Sequence, residues 1–259
     1  MEERIVAELR SLRARPAPAT LLPAVLERVG LADRYWREES AVGPLFVAFS
    51  ERGISAVVPA LRGEAAFERE HFERFHRRVY AGLPPRGTAQ AVARRLAGDR
   101  RARVRFDLRG CGEFQRAVLE KALEIPLGEV RPYGWVAREI GRPQAVRAVG
   151  SALGGNPVPL LVPCHRVVRT DGSLGEYALG SSAKRLLLEG EGVDVLELER
   201  LARCGERFVG SDTTHVYCLP SCVHARRISG SHRVAFSNAR AAALAEYRPC
   251  RHCRPAPAA

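Results

Sequence analysis

The spacing of apolar residues divides the first part of the chain into short predicted elements. Residues 1–40 read as a helix, a proline-rich break and a second helix, "TLLPAVLERVGLADRYW", which together predict a helical extension. Two β-rich runs joined by a Glu-Arg-Gly turn, "GPLFVAFSERGISAVVPAL", predict a hairpin, and "RARVRFDL" alternates like a further strand. Residues 41–110 therefore predict a small α/β domain.

A helical pattern follows the predicted hairpin, in "FEREHFERFHRRVYAGL". Its apolar residues recur at helical spacing, at Phe67, Phe72, Phe75 and Val79. This amphipathic pattern predicts one helix over the whole segment, with its two histidines on the surface.

Residues 111–194 carry a different set of patterns. The stretch "GEFQRAVLEKALEIPLGEV" predicts a helix closed by Pro126. Two short helices, "YGWVAREIG" and "PQAVRAVGSAL", flank the turn Gly141-Arg142-Pro143, a layout typical of a helix-turn-helix, although helix pairs are common. The stretch "SSAKRLLLEGEGV" predicts a closing helix.

Paired cysteines characterise residues 195–255. Cys218 and Cys222 are separated by three residues, and Cys250 and Cys253 by two. Two close thiolate pairs predict a tetrahedral four-cysteine zinc site. The alternative is two disulfides, which a reducing cytoplasm disfavours. Zinc binding would supply stability that the few apolar residues of this segment cannot, and residues 256–259 are predicted to form a disordered tail.

The net charge of +12 favours a polyanionic partner, most simply nucleic acid. All but two of the 41 Lys and Arg residues are arginine, so genome base composition explains the charge equally well. The chain has no apolar run of membrane-spanning length, and its first residues lack a secretory layout. We therefore expect a cytoplasmic protein without a membrane partner.

One reactive pair stands out, in "PVPLLVPCHRVV", where Cys164 and His165 end an apolar run. A buried cysteine is usually an inert small side chain, whereas a nucleophilic cysteine needs activation because a free thiol is only slightly ionised at neutral pH. Neighbouring side chains rarely face each other, so a water would have to carry a proton between the two. The residues alone leave both interpretations open.

Residues 112–193 resemble the O6-alkylguanine-DNA alkyltransferases almost throughout. The Pro-Cys-His-Arg-Val core, the Asn-Pro-Val-Pro loop and the Arg-Ala-Val-Gly helix occur in family order and at family spacing. The resemblance implies an α/β plus α multidomain chain, with a ribonuclease-H-like domain at 41–110 and a winged helix-turn-helix-like alkyltransferase domain at 111–194.

The same resemblance implies irreversible, single-turnover transfer of an alkyl group from guanine O6 in double-stranded DNA to Cys164. The guanine must be flipped out of the duplex, because its O6 cannot meet a buried sulfur while stacked. Matched residue by residue, His165 would deprotonate the thiol through water, Glu191 would orient His165, and Asn156 would shape the adjoining turn.

Further residues match family positions that contact DNA or the alkylated base. Arg147 would occupy the space of the extruded base, and Tyr133 would rotate its phosphate and supply a proton to the leaving guanine. Leu179 departs from the smaller or hydroxyl-bearing residue of many relatives, which favours methyl over benzyl adducts. The remaining implied positions are Ala148 and Gly150 on the recognition helix, and Tyr177 and Ala178 at the pocket.

Residues 195–255 resemble the zinc-binding domain of the bacterial adaptive-response protein Ada, in "TTHVYCLPSC" and "YRPCRHCRP". The resemblance implies one zinc ion, no organic cofactor, and Cys218 as a second methyl acceptor from a DNA methylphosphotriester. Leu219 stands where an arginine is usual, and the domain order is reversed. A purely structural zinc module is therefore the alternative.

Two other functions stay open on the sequence. A non-catalytic lesion-binding protein, like the alkyltransferase-like proteins, would lack the reactive cysteine that this chain keeps. An Ada-like transcriptional regulator would need a separate regulatory DNA-binding domain, or a partner that supplies one. The sequence favours a monomeric DNA-repair alkyltransferase over both.

Overall fold

The computed structural model describes residues 18–99 and 101–256. The first described helix, α1 (Leu21–Arg28), ends just before Gly30, whose φ of 75° lies in the left-handed region that favours glycine. Strand β1 (Ala32–Glu38) then begins, so the predicted helical extension over residues 1–40 was wrong for this segment. The extended conformation of β1 is stabilised by pairing with two neighbouring strands. The rest of the predicted extension, residues 1–17, lies outside the described residues.

Strand β1 belongs to a four-stranded sheet with the order β3-β2-β1-β4. The predicted hairpin is confirmed as β2 (Leu45–Ser50) and β3 (Gly53–Pro59), which pair antiparallel. Strand β4 (Arg78–Ala81) lies parallel to β1. The N-terminal α/β unit therefore begins with β1, before the predicted boundary at residue 41.

The predicted amphipathic helix is shorter than its pattern suggested. Helix α2 (Glu64–Phe75) ends at His76, which adopts a left-handed φ of 53°, and Val79 lies in β4. The predicted surface position of His71 was wrong: its side chain is buried, with Nε2 3.2 Å from the Asp33 carboxylate. A buried imidazole needs such a partner because its desolvation is otherwise uncompensated.

The alternating run "RARVRFDL" does not form a regular strand. It makes one parallel bridge, between Ile54 and Phe106. The Asp107 carboxylate then accepts hydrogen bonds from the hydroxyl of Ser50 and the guanidinium of Arg109. These side-chain bonds take the place of further ladder bonds beside β3.

Strand β2 contributes to two hydrophobic cores because its side chains alternate between the faces of the sheet. Phe46 and Ala48 pack with Phe67 of α2. Leu45 and Val47 belong instead to the large core of the following domain. The sheet therefore lies between α2 and the core that contains Cys164.

The second unit is mainly helical. After α3 (Thr88–Leu96), the predicted helices are confirmed as α4 (Glu113–Leu123), α5 (Tyr133–Glu139), α6 (Val146–Gly154) and α7 (Ser181–Gly190). The short strands β5 (Arg131–Pro132) and β6 (Val167–Val168) pair parallel. Strand β6 directly follows a one-turn 3-10 helix, Cys164–Arg166, so the β5–β6 pair fixes the position of the reactive turn.

Helix α8 (Val195–Arg203) leads into a zinc-type module with its own core. Its strands, in the order β10-β8-β7-β9, are β7 (Phe208–Ser211), β8 (Val216–Cys218), β9 (Arg233–Phe236) and β10 (Arg248–Pro249), and helix α9 (Ala239–Leu244) precedes β10. The Tyr217 hydroxyl donates to the carbonyl of Ala256 at 2.9 Å, so the predicted disordered tail was wrong for Ala256. Residues 257–259 lie outside the described residues.

None of the helices in the described part of the chain combines the length and the apolar character required to cross a membrane.

Candidate alkyl-transfer and metal sites

The Cys164 side chain lies in the large core and is 5% exposed. Its thiol sulfur accepts a hydrogen bond from Asn156 Nδ2 at 3.1 Å. Burial raises the pKa of this thiol, and the Asn156 hydrogen bond opposes that effect by favouring the thiolate. Cys164 is thus a thiol that needs a base to become nucleophilic.

Asn156 is held by the loop that it shapes. Its Oδ1 accepts from the backbone N–H of Val158, and its Nδ2 also donates to the carbonyl of Val162. The loop is attached to the N-terminal sheet, because Val57 N–H in β3 donates to the carbonyl of Pro157 at 2.8 Å. The sheet therefore supports the loop whose asparagine contacts the Cys164 sulfur.

The predicted partners His165 and Glu191 are in contact, with His165 Nε2 2.9 Å from Glu191 Oε1. The Arg166 guanidinium also binds this carboxylate, through Nε to Oε2 at 2.7 Å and a second nitrogen to Oε1 at 2.8 Å. The buried Nδ1 of His165 has no hydrogen-bonding partner among the described residues. Because one nitrogen is fixed by Glu191, the other is left for proton transfer.

Burial and charge set the protonation of this pair. Burial lowers the pKa of His165, although Glu191 opposes the effect, so the imidazole favours its neutral form. Burial alone would raise the pKa of Glu191, but hydrogen bonds from His165 and Arg166 outweigh it and lower the pKa to about 2. A neutral imidazole beside an ionised carboxylate can act as a general base.

Two tyrosines flank the reactive turn. The Tyr177 ring lies edge-on to His165, with 6.1 Å between centroids, and burial together with the neighbouring Cys164 raises the pKa of Tyr177. Tyr133 begins α5 and is half-buried, and burial raises its pKa as well. Both phenols therefore keep their protons at neutral pH, as a hydrogen-bond or proton donor must.

The outer face of α6 carries the residues predicted to contact DNA. Arg147 and Ala148 are exposed, and Gly150 is half-buried beside Tyr133. A Cβ at Gly150 would stand 4.0 Å from Tyr133 Cε1, an ordinary van der Waals distance, so the helix lies within packing distance of the ring. Of the other predicted pocket residues, Ala178 is exposed and Leu179 is half-buried, after Tyr177.

Sequence reasoning missed two cations of this site. Arg166 holds Glu191 and also donates to the carbonyl of Ile125 at 2.9 Å. Lys184 is fully buried and donates to the carbonyls of Val167 and Leu174, and burial lowers its pKa to about 8. Arg166 lies within the quoted core motif, whereas Lys184 gave no signal because it lies in a helix that is otherwise largely exposed.

The four cysteines of the predicted metal site meet in one place. Their sulfur atoms lie within 4.8 Å of one another and are all buried. Tetrahedral zinc with bonds of about 2.3 Å separates its sulfur ligands by about 3.8 Å, so the set fits this metal. The backbone N–H of Leu219 also points at the Cys253 sulfur at 3.3 Å, a bond that favours the thiolate. The four ligands are Cys218, Cys222, Cys250 and Cys253.

The two cysteines outside the reactive turn and the metal set differ in exposure. Cys111 is buried in the large core, whereas Cys204 at the end of α8 is exposed.

Two family models match separate parts of the chain. Residues 113–193 match the family model of the 6-O-methylguanine DNA methyltransferase DNA-binding domain. Residues 199–256 match the model of the metal-binding domain of Ada. The chain is 36% identical, over 162 residues, to a methylated-DNA–protein-cysteine methyltransferase of Methanosarcina acetivorans, covering 60% of this chain and 95% of the relative.

The chain belongs to the methylated-DNA–protein-cysteine methyltransferase family. The Ada match and the four clustered thiols together assign zinc to its C-terminal module. The metal-binding segment makes this family member different from one that consists of the methyltransferase part alone.

A second relative is a regulatory protein. The regulatory protein ada of Salmonella typhimurium is 37% identical over 160 residues, which cover 61% of this chain and 45% of that protein. The chain thus spans about half the length of the first curated relatives it matches. Among solved structures, the Mycobacterium tuberculosis OGT in complex with DNA has a TM-score of 0.49 and 34% identity, covering 64% of this chain and 99% of that one.

Proposed function

We propose that this protein repairs DNA by transferring a methyl or other small alkyl group from guanine O6 to the sulfur of Cys164, once per molecule. The contact of Asn156 with the Cys164 sulfur, beside the paired His165 and Glu191, carries the proposal. An inert core cysteine needs neither a hydrogen-bond donor on its sulfur nor a buried base next to it.

The reaction follows from the residues around the sulfur. The thiol proton passes through a water to Nδ1 of His165, whose positive charge is stabilised by Glu191. The thiolate attacks the alkyl carbon, so the S–C bond forms while the bond from carbon to guanine O6 breaks. Tyr133 donates a proton to the leaving guanine. The proton held by His165 then passes through solvent to the Tyr133 phenolate, so both side chains end in their neutral forms. The thioether product has no leaving group that water can displace, so Cys164 is not regenerated.

Double-stranded DNA is the proposed partner, bound through α6. The exposed Arg147 and Ala148 place a cation and a small side chain on the outer face of this helix, which supports groove binding with Arg147 filling the space of the flipped base. Contact with backbone and groove shape, rather than base edges, suits a search for damage at any sequence.

We also infer the fold types of the two domains that precede the zinc module. The strand order β3-β2-β1-β4, with β1 and β4 parallel, supports a ribonuclease-H-like N-terminal domain. The pair α5 and α6 next to the β5–β6 strands supports a winged helix-turn-helix-like domain. The monomeric state and the cytoplasmic location stay predictions.

The decisive experiment uses the full chain and a duplex oligonucleotide with one O6-methylguanine. Peptide mass spectrometry is expected to find one added methyl group on the Cys164 peptide of the native chain and none in Cys164→Ala. Cys111→Ala, which removes another buried thiol, is the matched control and is expected to accept the methyl group. An unmodified Cys164 peptide from folded native protein would refute the proposal.

A second activity, methyl acceptance by Cys218, is favoured by a groove beside the zinc site. Cys218 and Cys250 line this groove together with three exposed arginines, Arg227, Arg248 and Arg251. Four thiolates bound to one divalent zinc carry a net negative charge and are nucleophilic, whereas the arginines can hold the phosphates on either side of a neutral methylphosphotriester. Methylation of the Cys218 peptide by a methylphosphotriester duplex, absent in Cys218→Ser, tests this activity.

A further inference from the structure

The carboxylate of Glu129 joins the methyltransferase part to the metal site. Its side chain is 2% exposed, and Oε2 accepts from the Arg131 guanidinium at 2.6 Å. Oε1 faces the zinc module, where it lies 2.9 Å from His252 Nε2 and accepts from the backbone N–H of Val223 at 3.2 Å. Val223 follows a zinc ligand and His252 lies between two ligands, so Glu129 binds both cysteine loops, residues 218–223 and 250–254.

Directional hydrogen bonds reinforce this junction. The Ser221 hydroxyl, in the first cysteine loop, accepts from the N–H of Val130 at 2.9 Å and lies 3.2 Å from its carbonyl. Trp135 Nε1, in α5, donates to the carbonyl of the ligand Cys253 at 3.0 Å. The guanidinium carbon of Arg254 also lies 5.5 Å from the centroid of the Trp135 ring. Buried hydrogen bonds of this kind fix orientation, because breaking one leaves a polar group unsatisfied.

The other side of the same segment, residues 125–131, contacts the residues behind the reactive sulfur. The carbonyl of Ile125 accepts from Arg166, which holds Glu191. A Cβ at Gly128 would stand 2.9 Å from the backbone oxygen of Glu191, so the two backbones are in close contact. At its end, Arg131 pairs with Val167, directly after the reactive turn.

We propose that the zinc-bound cysteine loops hold residues 125–131 in place and thereby position Glu191 and Arg166 for the reaction at Cys164. Glu129 is the positioning residue that connects the two sites. This inference rests on the proposed alkyl transfer and adds that the metal state of the module controls its rate.

Zinc is suited to this role because it stabilises the module that presents the contacts. In a small metal domain much of the binding free energy of the metal is folding free energy. Loss of zinc would release the two cysteine loops, and with them the partners of Glu129, Val130 and Trp135. Zinc binding and the placement of residues 125–131 are linked equilibria. If zinc stabilises the placement of this segment, the correctly placed segment must also increase the affinity for zinc.

The reverse effect is measured on the zinc-loaded full chain. Glu129→Gln keeps the size of the side chain but removes its charge, and zinc transfer to a coloured chelator is followed with time. Loss of an outer partner of a metal site typically lowers affinity about 10- to 100-fold, so release is expected to be faster by a factor in that range. Glu120→Gln, on the exposed face of α4, is the matched control and is expected to release zinc like the native chain.

The forward effect is measured as the rate constant of Cys164 methylation. The zinc-stripped native chain and zinc-loaded Glu129→Gln are expected to react about 10- to 100-fold more slowly, since small displacements of catalytic groups cost this much. Re-added zinc should restore the native chain, and Ser221→Ala should show a smaller loss of the same kind.

The zinc-release and methylation experiments test the coupling and the alkyl transfer separately. If zinc-loaded native protein accepts no methyl group, the alkyl transfer fails, while the zinc-release experiment still decides the coupling. If the native chain is methylated at the same rate with and without zinc, or if Glu129→Gln and Glu120→Gln release zinc alike, the coupling is overturned. Joint unfolding of both parts on zinc removal would support it.

Discussion

Asn156 Nδ2 lies 3.1 Å from the Cys164 sulfur and donates to it, which makes an amide the direct hydrogen-bonding partner of the proposed nucleophile. The amide favours the thiolate at a position where burial favours the thiol. The reactivity of the site therefore depends on this contact together with the neighbouring base.

Asn156→Ala is expected to raise the pKa of Cys164 further and to slow methylation at neutral pH about 10-fold or more, because the thiolate loses its donor. The rate constant of methyl transfer as a function of pH measures the change. Glu120→Gln on the exposed face of α4 is the control. An unchanged pH profile for Asn156→Ala would show that the amide acts on the loop alone.

Glu191→Gln is expected to destabilise the fold in a pH-dependent way. The folded pKa is depressed to about 2 from 4.5, so the ionised carboxylate stabilises the fold fully above the unfolded value, and this contribution is lost as pH falls towards 2. At pH 7 the variant should lose on the order of 3 kcal/mol of unfolding free energy. Denaturant titrations at pH 7 and pH 3 should show a smaller difference at the lower pH.

Arg147→Ala is expected to affect DNA-bound guanine and not the free base. The exposed guanidinium of Arg147 is proposed to fill the space left by the flipped nucleotide, so its loss should slow methyl transfer from duplex DNA about 10-fold or more. The rate of reaction with the free O6-methylguanine base should stay unchanged, because no flipping is needed. Equal losses with both substrates would contradict the assigned role.

Thiol labelling is expected to follow exposure and zinc binding. Of the seven cysteines, Cys204 alone is exposed. One thiol per chain should therefore react rapidly with a thiol reagent while zinc is bound, and Cys204→Ser should abolish that phase. A chelator should make four more thiols reactive, since bound thiolates are protected by the metal. Fast labelling of the four cysteines before chelation would argue against a zinc site.

The sequence was sufficient to predict which residues lie together where those residues belong to continuous motifs. Cys164, His165 and Asn156 belong to one loop, and Glu191 follows the closing helix at family spacing. The paired cysteines indicated their own site because the spacing within each pair is typical of zinc ligands. Such motifs can be recognised without a structure because their chemistry depends on few residues that are distant in the sequence.

Residues whose role depends on contacts between distant segments could not be identified in the same way. Glu129 follows a Leu-Gly turn that predicts only a loop, and its partners Val223 and His252 lie about a hundred residues away. Residues 32–38 read as helical until their pairing with β2 and β4 is known. The burial of His71 is likewise not predictable from its helix alone, because its buried partner, Asp33, belongs to that strand.

Because the side chains of β2 enter two cores, the chain cannot be divided near residue 110 without disrupting the larger one. Leu45 and Val47 complete the same core that encloses Cys164, whereas Phe46 and Ala48 complete the core beneath α2. A cut at that point would expose on each fragment the apolar side chains that now touch the other. The two halves are thus expected to melt together, and a fragment beginning at residue 111 should aggregate.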